Sequence, residues 1–212
     1  MVPELSTVGS SAAPSPHVDP ESHPVLNPLQ AYIQARGDLP VQLHLGCGGM
    51  RWKDFINVDL NPDDPNRRDS SRSGCVADVF ADMRDLGLPD NSVEAIFTSH
   101  TIDHFSRWVA VDMLSDWHRM LRPGGTLTIE AADLFRCILW LFHPSKRKRW
   151  LGKSQLYGNQ WDRIDYETHR YVWSGRELKR ALREEIGFRE VTISHRTETH
   201  VPGRDMRAVA RK

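Results

Sequence analysis

The sequence predicts an α/β fold, a Rossmann-like, doubly wound and mostly parallel seven-stranded sheet with an inserted cap after the fifth strand. Three observations predict it. Short apolar runs recur at 41–45, 55–59, 75–79, 93–98, 125–131, 188–194 and 205–211, and the early ones are continuous, as strands covered on both faces are. Between runs the apolar period lengthens to that of a helix, and such alternation builds a doubly wound sheet. The first run ends abruptly in Gly46-Cys47-Gly48-Gly49, and the second ends in Asp59. Glycines at a strand's carboxyl end admit a ligand close to the backbone, and an acid at the next strand end accepts hydrogen bonds from ribose hydroxyls.

Residues 1–26 are rich in Pro, Ser, Ala and His and read as a disordered leader, so the domain is expected to span 27–212. Asn27 can cap a first helix, with Pro28 at its first position, Gln30 as capping-box partner and Gly37 as its end. Leu29, Tyr32 and Ile33 form its apolar stripe. Over 106–121, Ala110, Met113, Leu114, Trp117, Met120 and Leu121 fall on one helical face behind a Ser106 cap. Trp108 and Trp117 are expected to pack there. Pro123-Gly124-Gly125 then turns the chain into the fifth strand. Ser174-Gly175-Arg176-Glu177 is a capping box for a helix with Leu178, Ala181, Leu182 and Ile186 inside, ended by Gly187. Residues 133–173 break the alternation. They hold four of the seven tryptophans (Trp140, Trp150, Trp161, Trp173) and the run Lys146-Arg147-Lys148-Arg149. This is too long for an ordinary loop and reads as a cap over the ligand end of the sheet. The basic run suits a solvated face or an anionic substrate group.

Lys plus Arg equals Asp plus Glu at 28 each, so nothing global argues for a nucleic-acid or membrane partner. Cys47, Cys75 and Cys137 form no zinc spacing and no disulfide framework, which suits a reducing cytoplasm. No apolar stretch approaches the roughly 20 residues of a membrane span, and the amino terminus has no signal pattern. His100-x-x-Asp103-His104 shows no third ligand, so no metal is expected.

A dinucleotide fingerprint needs a glycine where Arg51 stands, and a phosphate loop needs Lys-Ser/Thr where Met50-Arg51-Trp52 stands. Leu43-His44-Leu45-Gly46-Cys47-Gly48-Gly49 instead resembles the first motif of the class I S-adenosylmethionine-dependent methyltransferases. Phe55-Ile56-Asn57-Val58-Asp59 resembles the second, Asp82-Met83-Arg84-Asp85-Leu86-Gly87-Leu88-Pro89-Asp90-Asn91-Ser92 the third, Thr98-Ser99-His100-Thr101-Ile102-Asp103-His104-Phe105 the fourth-strand motif and Met120-Leu121-Arg122-Pro123-Gly124-Gly125-Thr126-Leu127 the turn before the fifth strand. The resemblance implies S-adenosylmethionine as cofactor. It implies backbone approach at Gly46, Cys47, Gly48 and Gly49, ribose contacts at Asp59 with Leu60 beside it, adenine contacts at Asp82 and Met83, and a cofactor wall at Ser99 and His100. His44 stands where the family has an acid or Asn. The short reach from Gly49 to Asp59 leaves no room for a full crossover helix. That resembles the methyltransferase type 11-like branch, which is often linked to sugar modification.

Methyl transfer to a hydroxyl needs a base, and His104 with Asp103, or His169 in the cap, is the candidate. In the cap, Tyr157, Gln160, Trp161, Asp165, Arg170 and Tyr171 mix aromatic faces with polar groups, which suits a sugar. The expected reaction is O-methylation of a small polar acceptor, a sugar or related metabolite. The alternatives are an N- or carboxyl-methyltransferase of a natural product and a non-catalytic partner protein of the same fold. No Asn/Asp-Pro-Pro-Tyr/Phe motif follows the fourth strand, so RNA is not the expected acceptor. A homodimer through the tryptophan-rich cap is allowed.

Overall fold

Residues 27–37, 40–61, 74–158, 160, 167–199 and 201–212 are described in the computed structural model. The leader 1–26, Trp161 and Asp165 lie outside them. Helix α1 (Pro28–Arg36) begins where expected, with the reciprocal box formed: Gln30 N–H donates to Asn27 Oδ1 (2.8 Å) and Asn27 N–H to Gln30 Oε1 (3.1 Å). Gly37 ends it at φ 71°, where glycine alone is unstrained.

Seven strands follow: β1 (Gln42–Leu45), β2 (Ile56–Asp59), β3 (Val79–Phe80), β4 (Val93–Ser99), β5 (Leu121–Ala132), β6 (Glu190–Ser194) and β7 (Asp205–Arg211). They form one sheet in the order β3-β2-β1-β4-β5-β7-β6. β1 to β5 are parallel, and β7 runs antiparallel to both neighbours. The order reverses between β1 and β4, so the carboxyl ends of these strands flank the crevice where such sheets bind ligands. Leu43, Leu45, Ile56, Val58, Ile96, Leu127 and Ile129 are buried in one core with Trp117 and Trp173.

Helix α2 (Arg107–Met120) buries Ala110, Met113, Leu114, Trp117 and Met120, the predicted stripe. Leu121 is buried too, but as the first residue of β5, four positions before the predicted start, because it pairs with Val93 ahead of a register shift. Ser106 precedes the helix without a side-chain cap bond, and Trp108 is exposed rather than packed. Strand β3 is shorter than the predicted 75–79. Val76 N–H donates to Gly48 O (2.9 Å), so the chain at Val76 lies along the glycine loop rather than on β2, and meets β2 only from Asp78, whose N–H donates to Asn57 O (2.7 Å). Helix α5 (Gly175–Arg180) continues as a π-helical turn over Ala181–Ile186 that the apolar period did not reveal. Its box is one-sided. Glu177 N–H donates to Ser174 Oγ, but the Glu177 carboxylate turns to Arg107 and Tyr171.

After β5 the chain forms a hairpin of α3 (Leu134–Leu141) and α4 (Lys146–Tyr157). Asp133 caps α3 through the N–H groups of Phe135 (2.9 Å) and Arg136 (3.2 Å). Gly152 lets the helices touch: a Cβ there would lie 2.7 Å from Cys137 O and 3.0 Å from Trp140 Cβ. The chain returns as a strap whose Arg170 and Tyr171 N–H groups donate to Asp103 O (2.8 and 3.2 Å).

Candidate active site

The glycine loop turns at Gly46, at φ 70°, where a Cβ would lie 2.5 Å from Thr101 Oγ1 and 3.3 Å from Met83 Cε. Both the conformation and the space exclude a side chain. Gly46 and Cys47 N–H donate to Val58 O, and Gly48 N–H donates to Asp59 Oδ2 (2.6 Å). Asp59 Oδ1 takes the N–H of Leu60 (2.7 Å). The acid is thus buried and fixed at the mouth of the loop. Among the described residues nothing lies within 4 Å of a Cβ position at Gly48, so they leave the loop's outer side open.

Two hollows lie beside the residues this carboxylate binds, one lined by Gly48 and the other by Leu60. One, of about 470 Å³, is lined by His44, Gly46 to Met50, Ser99, His100 and Glu167. The other, of about 610 Å³, lies past Leu60, between Tyr32 of α1, Phe80 of β3 and Asp82. Asp82 lines it, though Arg84 holds the carboxylate with hydrogen bonds from its N–H (2.9 Å) and Nε (2.9 Å). Burial raises the Asp82 pKa, and the Arg84 bonds outweigh it and hold the group below the usual carboxylate range. Met83 is not on this wall. It is a core residue whose carbonyl accepts from Trp117 Nε1 (3.0 Å) and whose methyl faces Gly46.

At the head of the first hollow, His44 Nδ1 bonds Asn57 Oδ1 (3.1 Å). Burial keeps this imidazole below its ordinary pKa, against the opposing effects of Asn57 and Asp59. Ser99 Oγ lies 2.7 Å from Thr199 Oγ1, which itself donates to Glu130. The proton between them therefore belongs to Ser99. His100, at φ 49°, sets Nε2 3.1 Å from Asp205 Oδ2. Arg204, also buried, pairs with the same Asp205. Thr199 and Arg204, just before β7, and Asp205, its first residue, carry no local signal in the sequence, because Thr199 lies 100 positions from Ser99 and Asp205 lies 105 from His100.

Asp103 and His104 sit on a single 3₁₀ turn, Ile102–His104. Asp103 is fully buried, and among the described residues neither of its carboxylate oxygens has a hydrogen-bond partner of ordinary geometry. Burial pushes its pKa up to about 6, with His100 (Nδ1 at 3.9 Å) pulling it down and Asp205 pushing it up. It faces His100 and Asp205 rather than acting as a visible partner of His104. The ring of His104 meets that of His169 edge to face, centroids 4.9 Å apart. His169 Nδ1 lies 2.6 Å from Gln155 O, so Nδ1 carries the proton and Nε2 is the acceptor. Burial, then the neighbouring His104, lowers its pKa to about 4.

The cap residues divide. Tyr157 and Gln160 line a third hollow of about 500 Å³ with Lys153, Ser154 and Gly158. Gln160 Nε2 donates to Tyr157 O (2.8 Å) and Thr168 Oγ1 (3.1 Å). The Arg170 side chain is exposed on the strap, while the Tyr171 hydroxyl donates to Glu177, away from that hollow. Cys47, Asp59 and Cys75 bring their ligand atoms within 4.8 Å of one another, a juxtaposition hidden by their distance in sequence. None of the three cysteines is in a disulfide.

A family model described as a methyltransferase domain matches residues 43–129, from β1 through β5. The chain carries a class I S-adenosylmethionine-dependent methyltransferase domain. The methyltransferase superposes on an S-adenosylmethionine-dependent methyltransferase of Archaeoglobus fulgidus with a TM-score of 0.53 at 18% identity, covering 87% of this chain and 91% of that one. A methyltransferase of Methanosarcina mazei gives 0.53 at 14% identity, with 85% and 96% covered. One of Mesorhizobium loti gives 0.53 at 15% identity, with 88% and 98% covered. These likenesses carry the fold. No protein of curated function matches the methyltransferase. The residues present fit the cofactor: a side-chain-free turn at Gly46, an open loop at Gly48, and an acid fixed by the N–H groups of Gly48 and Leu60, each of which lines a hollow. When bound, S-adenosylmethionine supplies an electrophilic methyl group on a cationic sulfur.

Proposed function

We propose that this methyltransferase acts on a hydroxyl of a small polar acceptor, a sugar or related metabolite. The observation that carries the reading is the histidine pair beyond β4. His169 is held by Gln155 O in the tautomer whose Nε2 accepts a proton, and its low pKa keeps it neutral near pH 7. His104 lies against it. Asp59 takes the ribose hydroxyls, Gly46 to Gly49 admit the amino-acid end of the cofactor, and Tyr32, Phe80 and Asp82 border the adenine. Ser99 and His100 wall the methionine side, and Tyr157, Gln160 and Arg170 meet the acceptor.

A second reading rests on the same lowered pKa. An imidazole held near 4 is a weak base, which favours an amine or carboxylate acceptor that needs little proton removal. Calorimetry with S-adenosylmethionine and its demethylated product tests the cofactor site, and millimolar concentrations without heat would reject it. Radiolabelled methyl transfer to a panel of sugars, amines and acids then separates the readings. Sugar turnover abolished by His104→Ala or His169→Ala supports O-methylation. Amine or acid turnover that survives both substitutions supports the second.

A further inference from the structure

The hairpin of α3 and α4 concentrates charge of one sign in a chain whose net charge is zero. From 134 to 160 it contains Arg136, Lys146, Arg147, Lys148, Arg149 and Lys153, and no Asp or Glu. The same hairpin turns an apolar stripe outward. Phe135, Ile138, Leu139 and Phe142 are spaced as one helical face, and Phe135, Leu139 and Phe142 are 59%, 69% and 82% exposed. On α4 the outward stripe is Lys146, Trp150, Lys153 and Tyr157, cations alternating with aromatics. Some of the basic residues hold the hairpin itself: Lys148 lies over Trp140, Arg149 donates to His143 O and Pro144 O, and Arg136 donates to Gly203 O. Lys146, Arg147 and Lys153 are exposed.

We propose that this hairpin docks the enzyme on the surface of a bilayer that carries anionic headgroups. The cations meet the headgroups, the apolar stripe enters the acyl boundary, and Trp150 and Tyr157 lie at the level between them. The contact is peripheral, since among the described residues no helix is long and apolar enough to cross a membrane. A second copy of the chain fits this face poorly, because two acid-free basic hairpins would meet. A nucleic acid would engage the cations but leaves the Ile138 and Leu139 side chains without an apolar partner. The third hollow, bordered by Lys153 and Tyr157, opens on this same hairpin, so docking brings its rim to the lipid surface.

Co-sedimentation of the full chain with vesicles tests the proposal. Mixed phosphatidylglycerol–phosphatidylcholine vesicles are expected to bind it and pure phosphatidylcholine vesicles to leave it in solution, with binding weakening as salt rises. Lys146→Glu with Arg147→Glu, and separately Leu139→Gln with Phe142→Gln, are each expected to weaken binding at least about ten-fold. All four side chains are exposed, so thermal midpoint and S-adenosylmethionine affinity should stay at wild-type values, which separates lost docking from lost folding. The proposal is overturned by no binding to the anionic vesicles at low salt, or by binding indifferent to the Leu139 and Phe142 changes. It is equally overturned if single-stranded RNA strips the protein from the vesicles, or if the stripe variants instead dissolve a dimer.

Discussion

Asp103→Asn should change how stability depends on pH, and the size of the change can be worked from the site. Asp103 is fully buried, and burial raises its pKa from 3.8 to about 6. Below the ordinary value the carboxyl is protonated in both native and unfolded chains and contributes no difference. As pH rises, the unfolded chain releases its proton first, so native stability falls until pH passes the native value. The whole interval is worth about 3 kcal/mol. Asn keeps the size and removes the titration, so the variant should gain about 3 kcal/mol on the wild type between pH 3.5 and 7. Whatever the new amide gains or loses in hydrogen bonding is an offset that does not depend on pH.

His169 makes the test sharper because its sign is opposite. Its native pKa, about 4, lies below the ordinary 6.5. The stability of the neutral form is fully present above 6.5 and is lost as pH falls through the native value, again by about 3 kcal/mol. In the wild type the two contributions overlap between these limits and oppose each other. Asp103→Asn removes one and should expose the other as a steep loss on acidification. His169→Gln should leave the reverse slope. Urea midpoints followed by tryptophan fluorescence across that range measure both, given a two-state transition. Parallel curves for wild type and Asp103→Asn would refute the reasoning, because they would mean that Asp103 ionises as readily inside the protein as outside it.

Asp59→Asn leaves one acceptor oxygen for the two backbone donors of Gly48 and Leu60, and calorimetry should show S-adenosylmethionine affinity at least about ten-fold weaker. Gly46→Ala places a methyl against Thr101 at positive φ and should cost more than about 2 kcal/mol, read from the thermal midpoint; adding Thr101→Ala relieves the clash and leaves the backbone cost of about 1–2 kcal/mol. Gly152→Ala gains helix propensity of about 1 kcal/mol but drives a Cβ into Cys137 O, so a net loss in urea stability is expected; a gain would mean that the α3–α4 contact is loose.

The elements nearest the cofactor were the most legible. The Asn27–Gln30 box, the buried face of α2 and the glycine-to-acid spacing are local patterns, and each has its cause within a few residues. What the sequence concealed is long-range. The Glu130–Thr199–Ser99 chain and the His100–Asp205–Arg204 cluster tie the ends of β4 and β5 to the segment that leads into the antiparallel β7. Tyr32 enters the second hollow because α1 packs beside β3, which its helical period does not tell. Local competition explains the misreadings. The Glu177 carboxylate had Arg107 and Tyr171 in reach and left its own helix end, and Asp78 turned its side chain to Asn57, so β3 begins only at Val79.

The missing crossover helix between β1 and β2 leaves a structural question that Asn57 answers. Ten residues, 46–55, must carry the chain between parallel neighbours while keeping the glycine loop fixed. Asn57, fully buried in β2, accepts from Trp52 N–H (2.9 Å), and its Nδ2 shares two hydrogens among Trp52 O and Phe55 O (3.1 Å each) and Asp78 Oδ2 (2.9 Å). These bonds satisfy the connection's backbone as a helix would have done internally. They also set Trp52 flat on Phe97, with centroids 4.1 Å apart, and Phe55 edge-on beside it, so aromatic rings cover the sheet where helix side chains would otherwise lie. His44 is the register partner of Phe97 and bonds the same Asn57 amide. Its imidazole therefore belongs to the staple as well as to the cofactor hollow. An acid at this position would set a carboxylate against Asn57 Oδ1, whereas the Nδ1–H of a neutral histidine suits that oxygen. On this argument the short connection and the unusual His44 are one feature: removing the helix required an amide hub, and the hub required a donor at the head of the first motif.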